Sequence, residues 1–308
     1  MEDNNLRPPS KTFVDRSSLL QHPEQLREAA ERDGYLFFRG LLPRDRVLGL
    51  RRQILTVLQS EGLLSPEHDL MDGVCDLEAV AAMPLRVDVG VSEDIYKRIQ
   101  KLEEFHAISH DPALKNAFGL LFGEESIPHP RCIGRIMTPH PASRVTPTHQ
   151  DFLHIQGAVQ TWSFWFPVGD CPKELGGLTM LEGSHKLGLL QVSLNEGAGG
   201  LESQLCNLNL EWAYDDYEAG DVIIFHSHTV HKAMPNLLGN RIRMSCDNRY
   251  QPTSEVIDAA SLLPHGPFTW EELYEDWNND ALKYYWKKHD FQLSEWDESI
   301  RWQKEKIC

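Results

Sequence analysis

Between Arg131 and Tyr250 the chain is cut into short apolar runs by Gly, Pro, Asp and Asn. Runs this short cannot form long helices. Strands separated by turn residues at this spacing build a sandwich or a barrel, because each strand must bury one face against another sheet. The pattern predicts strands over Ile133–Thr138, His149–Gly157, Thr161–Val168, Gly177–Leu181, Asp221–Phe225 and Arg241–Tyr250. Residues 189–215 form a polar stretch with Gly197, Gly199 and Gly200. Such a stretch is read either as a lid or as a disordered excursion.

The flanks have a different texture. Pro23 to Asp33 reads as a short helix stopped by Gly34, followed by a buried strand at Tyr35-Leu36-Phe37-Phe38. Pro43 to Glu61 carries Val47, Leu50, Ile54 and Leu58 at helical spacing. Ser92 is a natural cap for a helix through Ile95, Ile99, Leu102 and Phe105, and Asp111-Pro112 opens another that closes at Gly123. Near the other end, Thr269-Trp270-Glu271-Glu272 fits a capping box, with Asn279 to Lys288 as further helix. Tyr284, Tyr285 and Trp286 are expected to pack that helix on the core. No linker-like stretch separates these parts, so residues 1–308 are expected to form one domain. Its parts are a mostly helical 1–130, a β core over 131–250 and C-terminal helices over 251–308.

The formal net charge of -16 argues against nucleic acid, whose phosphates are bound by Lys/Arg patches, and disfavours anionic membrane surfaces. It also sits poorly with a coenzyme A headgroup. Arg131, Arg135 and Arg144 could gather at the mouth of a site, although a solvated surface is the default reading of such residues. The six cysteines include no Cys-x-x-Cys pair, Met1 to Pro9 is polar, and no apolar run reaches membrane length. A cytoplasmic protein with free thiols and no membrane partner is expected. Oligomeric state is not legible.

Thr148-His149-Gln150-Asp151 carries the chemistry. On a strand, His149 and Asp151 point the same way. One further histidine from a distant strand would complete a 2-His-1-carboxylate set, which holds Fe(II) on one face and leaves the other open for substrate and O2. His231 is favoured for that role because its neighbours read as a strand end opening into a loop. His226 and His228 compete with it and would face the opposite way on an uninterrupted strand. His154 and His185 are read as ordinary histidines. Arg243 and Ser245 share a strand face, a fork and a hydroxyl suited to a carboxylate, with Arg241 as the rival.

Together these residues resemble the phytanoyl-CoA dioxygenase family of Fe(II)/2-oxoglutarate oxygenases. The pieces are Asp33-Gly34-Tyr35, Thr148-His149-Gln150-Asp151, Trp165-Phe166-Pro167-Val168, Leu175-Gly176-Gly177-Leu178, Glu182-Gly183-Ser184-His185, Gly220-Asp221 with His231, Pro235-Asn236, and Arg243 through Tyr250. The resemblance implies a mainly β fold with flanking helices around a double-stranded β-helix (jelly-roll) core. It implies Fe(II) on His149, Asp151 and His231, and 2-oxoglutarate with its far carboxylate on Arg243 and its chain beside Trp165. Arg241 and Arg243 stand ten and twelve residues after His231, on either side of the family's usual spacing. Arg243 is preferred because its distance to Tyr250 keeps the family pattern.

The implied reaction is hydroxylation of an unactivated C–H in a small-molecule substrate, with O2 consumed and succinate and CO2 released. Related halogenases have a small residue where Asp151 stands, so halogenation is not expected. Desaturation, cyclisation or epimerisation would use the same site. A metal-binding jelly-roll sensor or scaffold is the alternative of another class.

Overall fold

A computed structural model describes residues 8–205 and 209–302. Helices α1 (Pro23–Asp33), α2 (Arg44–Ser60), α3 (Leu77–Ala82), α4 (Glu93–Gln100), α5 (Glu103–Ala107) and α6 (Pro112–Phe122) precede the main β region, broken only by strand β1 (Tyr35–Phe38). Local chemistry sets their ends. Asp111 accepts the Ala113 N–H and Pro112 opens α6, while Gly123 closes it in the left-handed region. Gly34 does the same for α1, and there only glycine fits: a Cβ would strike the His185 ring and the Thr229 hydroxyl. The single helix expected beyond Ser92 is two, because Leu102 takes extended dihedrals and starts α5.

The next strands are β2 (Ser126–Pro128), β3 (Ile133–Met137), β4 (Trp162–Pro167), β5 (Leu178–Leu181), β6 (Val192–Leu194), β7 (Leu201–Ser203), β8 (Trp212–Ala213), β9 (Val222–His226), β10 (His231–Ala233) and β11 (Arg243–Pro252). The large sheet runs β1-β9-β4-β11-β2, with β3 also paired to β11, and all its pairs are antiparallel. A smaller antiparallel sheet has the order β10-β5-β8.

Strand alternation divides the large sheet into two faces. Leu36, Phe38, Phe164, Phe166, Val222, Ile224, Met244 and Tyr250 join the helices in one apolar core. Tyr35, Phe37, Trp165, Ile223 and Phe225 pack with Leu178, Met180 and Ala213 of the smaller sheet in a second core between the sheets. Both faces are covered, which is why these strands read as nearly unbroken apolar runs. This is the double-stranded β-helix expected from the resemblance.

Four expectations are corrected. The predicted strand His149–Gly157 is instead an isolated bridge at His149, a 3-10 turn over Asp151–Leu153 and a second isolated bridge from Gly157 to Ile257. The turn forms because the Asp151 carbonyl accepts the His154 and Ile155 N–H groups. The 189–215 stretch is not plain loop: β6 and β7 form a hairpin within it, and β8 near its end joins the smaller sheet. The strand expected over Arg241–Tyr250 is shifted two residues along the chain, as β11. The C-terminal part is one helical turn, α7 (Trp270–Leu273), then 3-10 turns at Asp280–Leu282 and Tyr285–Lys288, with a short parallel pair between β12 (Ile257–Asp258) and β13 (Leu293–Ser294). The capping box at Thr269 and Glu272 is present. Trp270, Leu273, Tyr274 and Trp286 pack into the helical core, and no helix among the described residues is long and apolar enough to cross a membrane.

Candidate metal centre and its two chambers

Pro147 and Gln150 shape the segment that carries the first two ligand candidates. Gln150 keeps extended dihedrals (φ -120°, ψ 130°), so alternation survives for one step and His149 and Asp151 project to the same side although no strand continues. The Gln150 side chain is fully buried. Its amide donates to the Gly188 and His228 carbonyls and its oxygen accepts the Leu190 N–H.

The third candidate enters from β10. His226 ends β9, residues 227 and 228 turn, and His231 begins the new strand, so parity along one strand does not apply. The Ser184 hydroxyl accepts the Val230 N–H and thereby sets the strand entry. His149 and His231 then exchange backbone hydrogen bonds of 2.9 and 3.0 Å.

The result is a buried cluster. One ligand atom from each of His149, Asp151 and His231 lies within 4.8 Å of the others. His149 Nε2 is 3.6 Å and His231 Nε2 is 3.7 Å from Asp151 Oδ1. On the far side of each ring, Nδ1 donates to a carbonyl: His149 to Pro147 at 2.8 Å, His231 to Thr229 at 2.9 Å. A carbonyl can only accept, so both Nε2 atoms carry their lone pairs toward the centre, as metal ligation requires. Burial pulls the His231 imidazole down to about 3 from the usual 6.5, which keeps it neutral. Burial alone would raise the Asp151 carboxyl. The charge of Arg249, with the two histidines, outweighs it and holds the group well below the ordinary carboxylate range.

Sequence reading missed the residues that aim Asp151. Its Oδ2 accepts from the Ser163 hydroxyl and, at 3.2 Å, from Arg249. Ser163 and Arg249 are cross-strand partners on β4 and β11. A signal existed: Arg249 has the parity of Arg243, and Ser163 is a polar residue inside an apolar strand.

Arg243, Ser245, Asp247 and Arg249 all point from β11 into the sandwich. The Arg243 guanidinium donates to Ser245 Oγ at 2.7 Å and pairs with no carboxylate among the described residues. Burial lowers its pKa from the usual value. A small cavity of about 20 Å³ joins the triad to Arg243, with Trp165, Leu178 and Phe225 in its wall. The rival Arg241 is exposed on another face and donates to the Asp72 carbonyl. His226, His228 and His185 lie against one another away from the triad. His154, expected to be ordinary, lies 5.6 Å ring to ring from His149 and lines a second chamber.

That second chamber, about 180 Å³, adjoins the first across His149, Asp151, Arg135 and Arg249, which line both. Arg131 and Arg135 thus reach the site, whereas Arg144 is exposed and faces Glu196 at 3.5 Å.

Two imidazoles and one carboxylate at the heart of a jelly roll, with an unpaired buried arginine beyond them, define a non-haem iron oxygenase frame. The profile of the phytanoyl-CoA dioxygenase (PhyH) family matches residues 30–245, and the chain belongs to that family. It is an Fe(II)- and 2-oxoglutarate-dependent dioxygenase that consumes O2. Among curated proteins it is similar to the 1-deoxypentalenic acid 11-beta-hydroxylase of Streptomyces exfoliatus, 27% identical over 280 residues that cover 88% of this chain and 94% of that one. The enzyme of the same name from Streptomyces arenae is 24% identical over 277 residues, covering 86% and 92%. Among solved structures, the apo form of EctD from S. alaskensis shares the fold, with a TM-score of 0.53, 16% identity and coverage of 87% of this chain and 90% of that one.

Proposed function

We propose that His149, Asp151 and His231 hold the iron, and that the enzyme hydroxylates an unactivated C–H of a small molecule in the cytoplasm. The observation that carries this reading is the convergence of two Nε2 lone pairs and one carboxylate oxygen within 4.8 Å, each histidine pinned through its opposite nitrogen. Iron with 2-oxoglutarate and O2 supplies the oxidant, and 2-oxoglutarate leaves as succinate and CO2. The protein's own part is positional. Arg243, with Ser245 beside it, takes the far carboxylate of 2-oxoglutarate in a dry pocket walled by Trp165. Asp151 stays ionised because Arg249 and Ser163 hold its other oxygen. The larger chamber receives the substrate. The two curated relatives described above are named as hydroxylases, which supports hydroxylation as the outcome. We read the whole chain as one oxygenase domain, since helices, large sheet and C-terminal segment share one apolar core.

Asp151→Ala tests the ligand set. The variant should lose tight iron binding and 2-oxoglutarate turnover together, because two imidazoles alone hold the metal poorly. Full iron loading with unchanged succinate formation would reject the triad.

A further inference from the structure

The larger chamber is lined by guanidinium groups, and they are not equally neutralised. Arg135 Nε bonds Asp247 at 3.1 Å, and Arg249 reaches Asp151 at 3.2 Å and Asp247 at 3.3 Å. Arg86, behind the wall, forms a two-pronged pair with the lining residue Asp88 at 2.9 and 2.8 Å. Arg131 differs. Its NH1 donates only to the carbonyls of Ala260 and Pro264, both at 3.2 Å, and no carboxylate among the described residues pairs with it. The nearby Asp258 caps the Ala260 N–H with one oxygen; its other oxygen is buried without a hydrogen-bond partner among the described residues, and its charge reaches Arg131 only through space. A half-buried guanidinium whose direct partners are carbonyls, with its only hydrogen bonds among the described residues made through NH1, keeps donors free for an anion in the chamber.

The neighbours register that field. His265, which also lines the chamber, has its imidazole pushed well below the usual range by burial and then by Arg131, Arg135, Arg86 and Arg249. It is neutral and does not add to the charge. His154 in the same wall has a buried Nε2 with no hydrogen-bond partner among the described residues. The volume of about 180 Å³ lies below the ~300–1,000 Å³ of sites for drug-sized ligands, so the occupant is compact.

We propose that the substrate is a compact monocarboxylic acid whose carboxylate is bound by Arg131, with its reacting carbon toward His149 and Asp151. This rests on the reading of the triad as the iron site. Arg131 is a binding residue, and it sets a preference for free acids over esters and coenzyme A thioesters.

The test uses the full chain with Fe(II) and 2-oxoglutarate without oxygen. The probes are decanoate, cyclohexanecarboxylate and 1-naphthoate, each against its methyl ester. Calorimetry reads their binding, and the visible charge-transfer absorption of bound Fe(II) with 2-oxoglutarate reads the metal site. At least one acid should bind roughly tenfold or more tightly than its ester. Arg131→Gln should remove that difference and leave the absorption in place, while Arg131→Lys restores part of the preference. Thermal unfolding checks that each variant is folded. Equal binding of acid and ester, binding by none of the acids, or a preference that survives in Arg131→Gln overturns the proposal. Absence of the absorption in the unmutated protein condemns the iron site instead, and the calorimetric comparison still decides the carboxylate.

Discussion

His149 and His231, eighty-two residues apart, form a lone antiparallel bridge in which each donates its amide to the other's carbonyl, with ring centroids 4.1 Å apart. The bridge places two of the proposed metal ligands on opposite backbones whose spacing is fixed by hydrogen bonds. Under the proposed ligand set, neither histidine would have to move far to meet an ion.

Arg249 sets the outer side of the site. Arg249→Gln removes the cation from Asp151 Oδ2 and leaves Ser163 as its partner there. Losing a hydrogen-bond partner of a metal ligand typically costs about 10–100-fold in metal affinity. Competition with a chelator should show iron affinity falling in that range, while Arg241→Gln changes nothing. Unaltered affinity in Arg249→Gln would mean Ser163 alone orients the carboxylate.

Arg243 should govern the co-substrate. Truncating one partner of a buried charged pair costs about 2–5 kcal/mol, roughly 30-fold or more in affinity. Arg243→Ala should raise the 2-oxoglutarate dissociation constant by at least that factor, with iron affinity nearly unchanged. Arg241→Ala should not. The opposite ranking in a titration would move the anchor to Arg241.

Stability should depend on pH through buried neutral histidines. Burial brings His106 and His129 from 6.5 down to about 4. Below pH 6.5 the unfolded chain takes up protons on both, while the native state resists until about 4. Stability is therefore lost as pH falls through that window, by about 1.4 kcal/mol per pH unit for each histidine, and this contribution is flat above it. The unfolding midpoint of metal-free protein, followed from pH 8 to 5, should hold steady and then drop. A midpoint that rises on acidification contradicts the buried neutral state.

The β6–β7 hairpin should report occupancy. Its tip brings Ala198 and Gly199 to the larger chamber, and Glu196 beside them is exposed. A Cβ at Gly199 would come within 2.7 Å of the His154 ring. Tip and chamber wall are therefore in close contact. Cleavage after Glu196 by a glutamate-specific protease should slow when Fe(II), 2-oxoglutarate and a bound acid are present. Identical digestion with and without them removes the lid.

Much of this protein is legible in its residues. Short, nearly unbroken apolar runs between turn residues located β1, β3, β4, β5 and β9 to within a residue or two, because strands buried on both faces leave little room for polar side chains. Caps at Ser92, Asp111 and Thr269 are local chemistry and appear where residue type placed them. The His-x-Asp pair and His231 stood out for the same reason: their identity and spacing carry chemical meaning.

The tertiary structure decided what depends on non-local partners. His149 and Asp151 share a side through one extended residue and a bridge to a distant strand, which no local pattern encodes. The separation of Arg243 from Arg241 followed from where β11 begins, since one points into the sandwich and the other into solvent. The holding of Asp151 by Arg249 and Ser163, and the gathering of Arg131 and Arg135 at the larger chamber, came from sheet register and packing. Side-chain identity is written along the chain. Which charges end up facing each other depends on how the sheets close, and that is settled only when the whole core is buried.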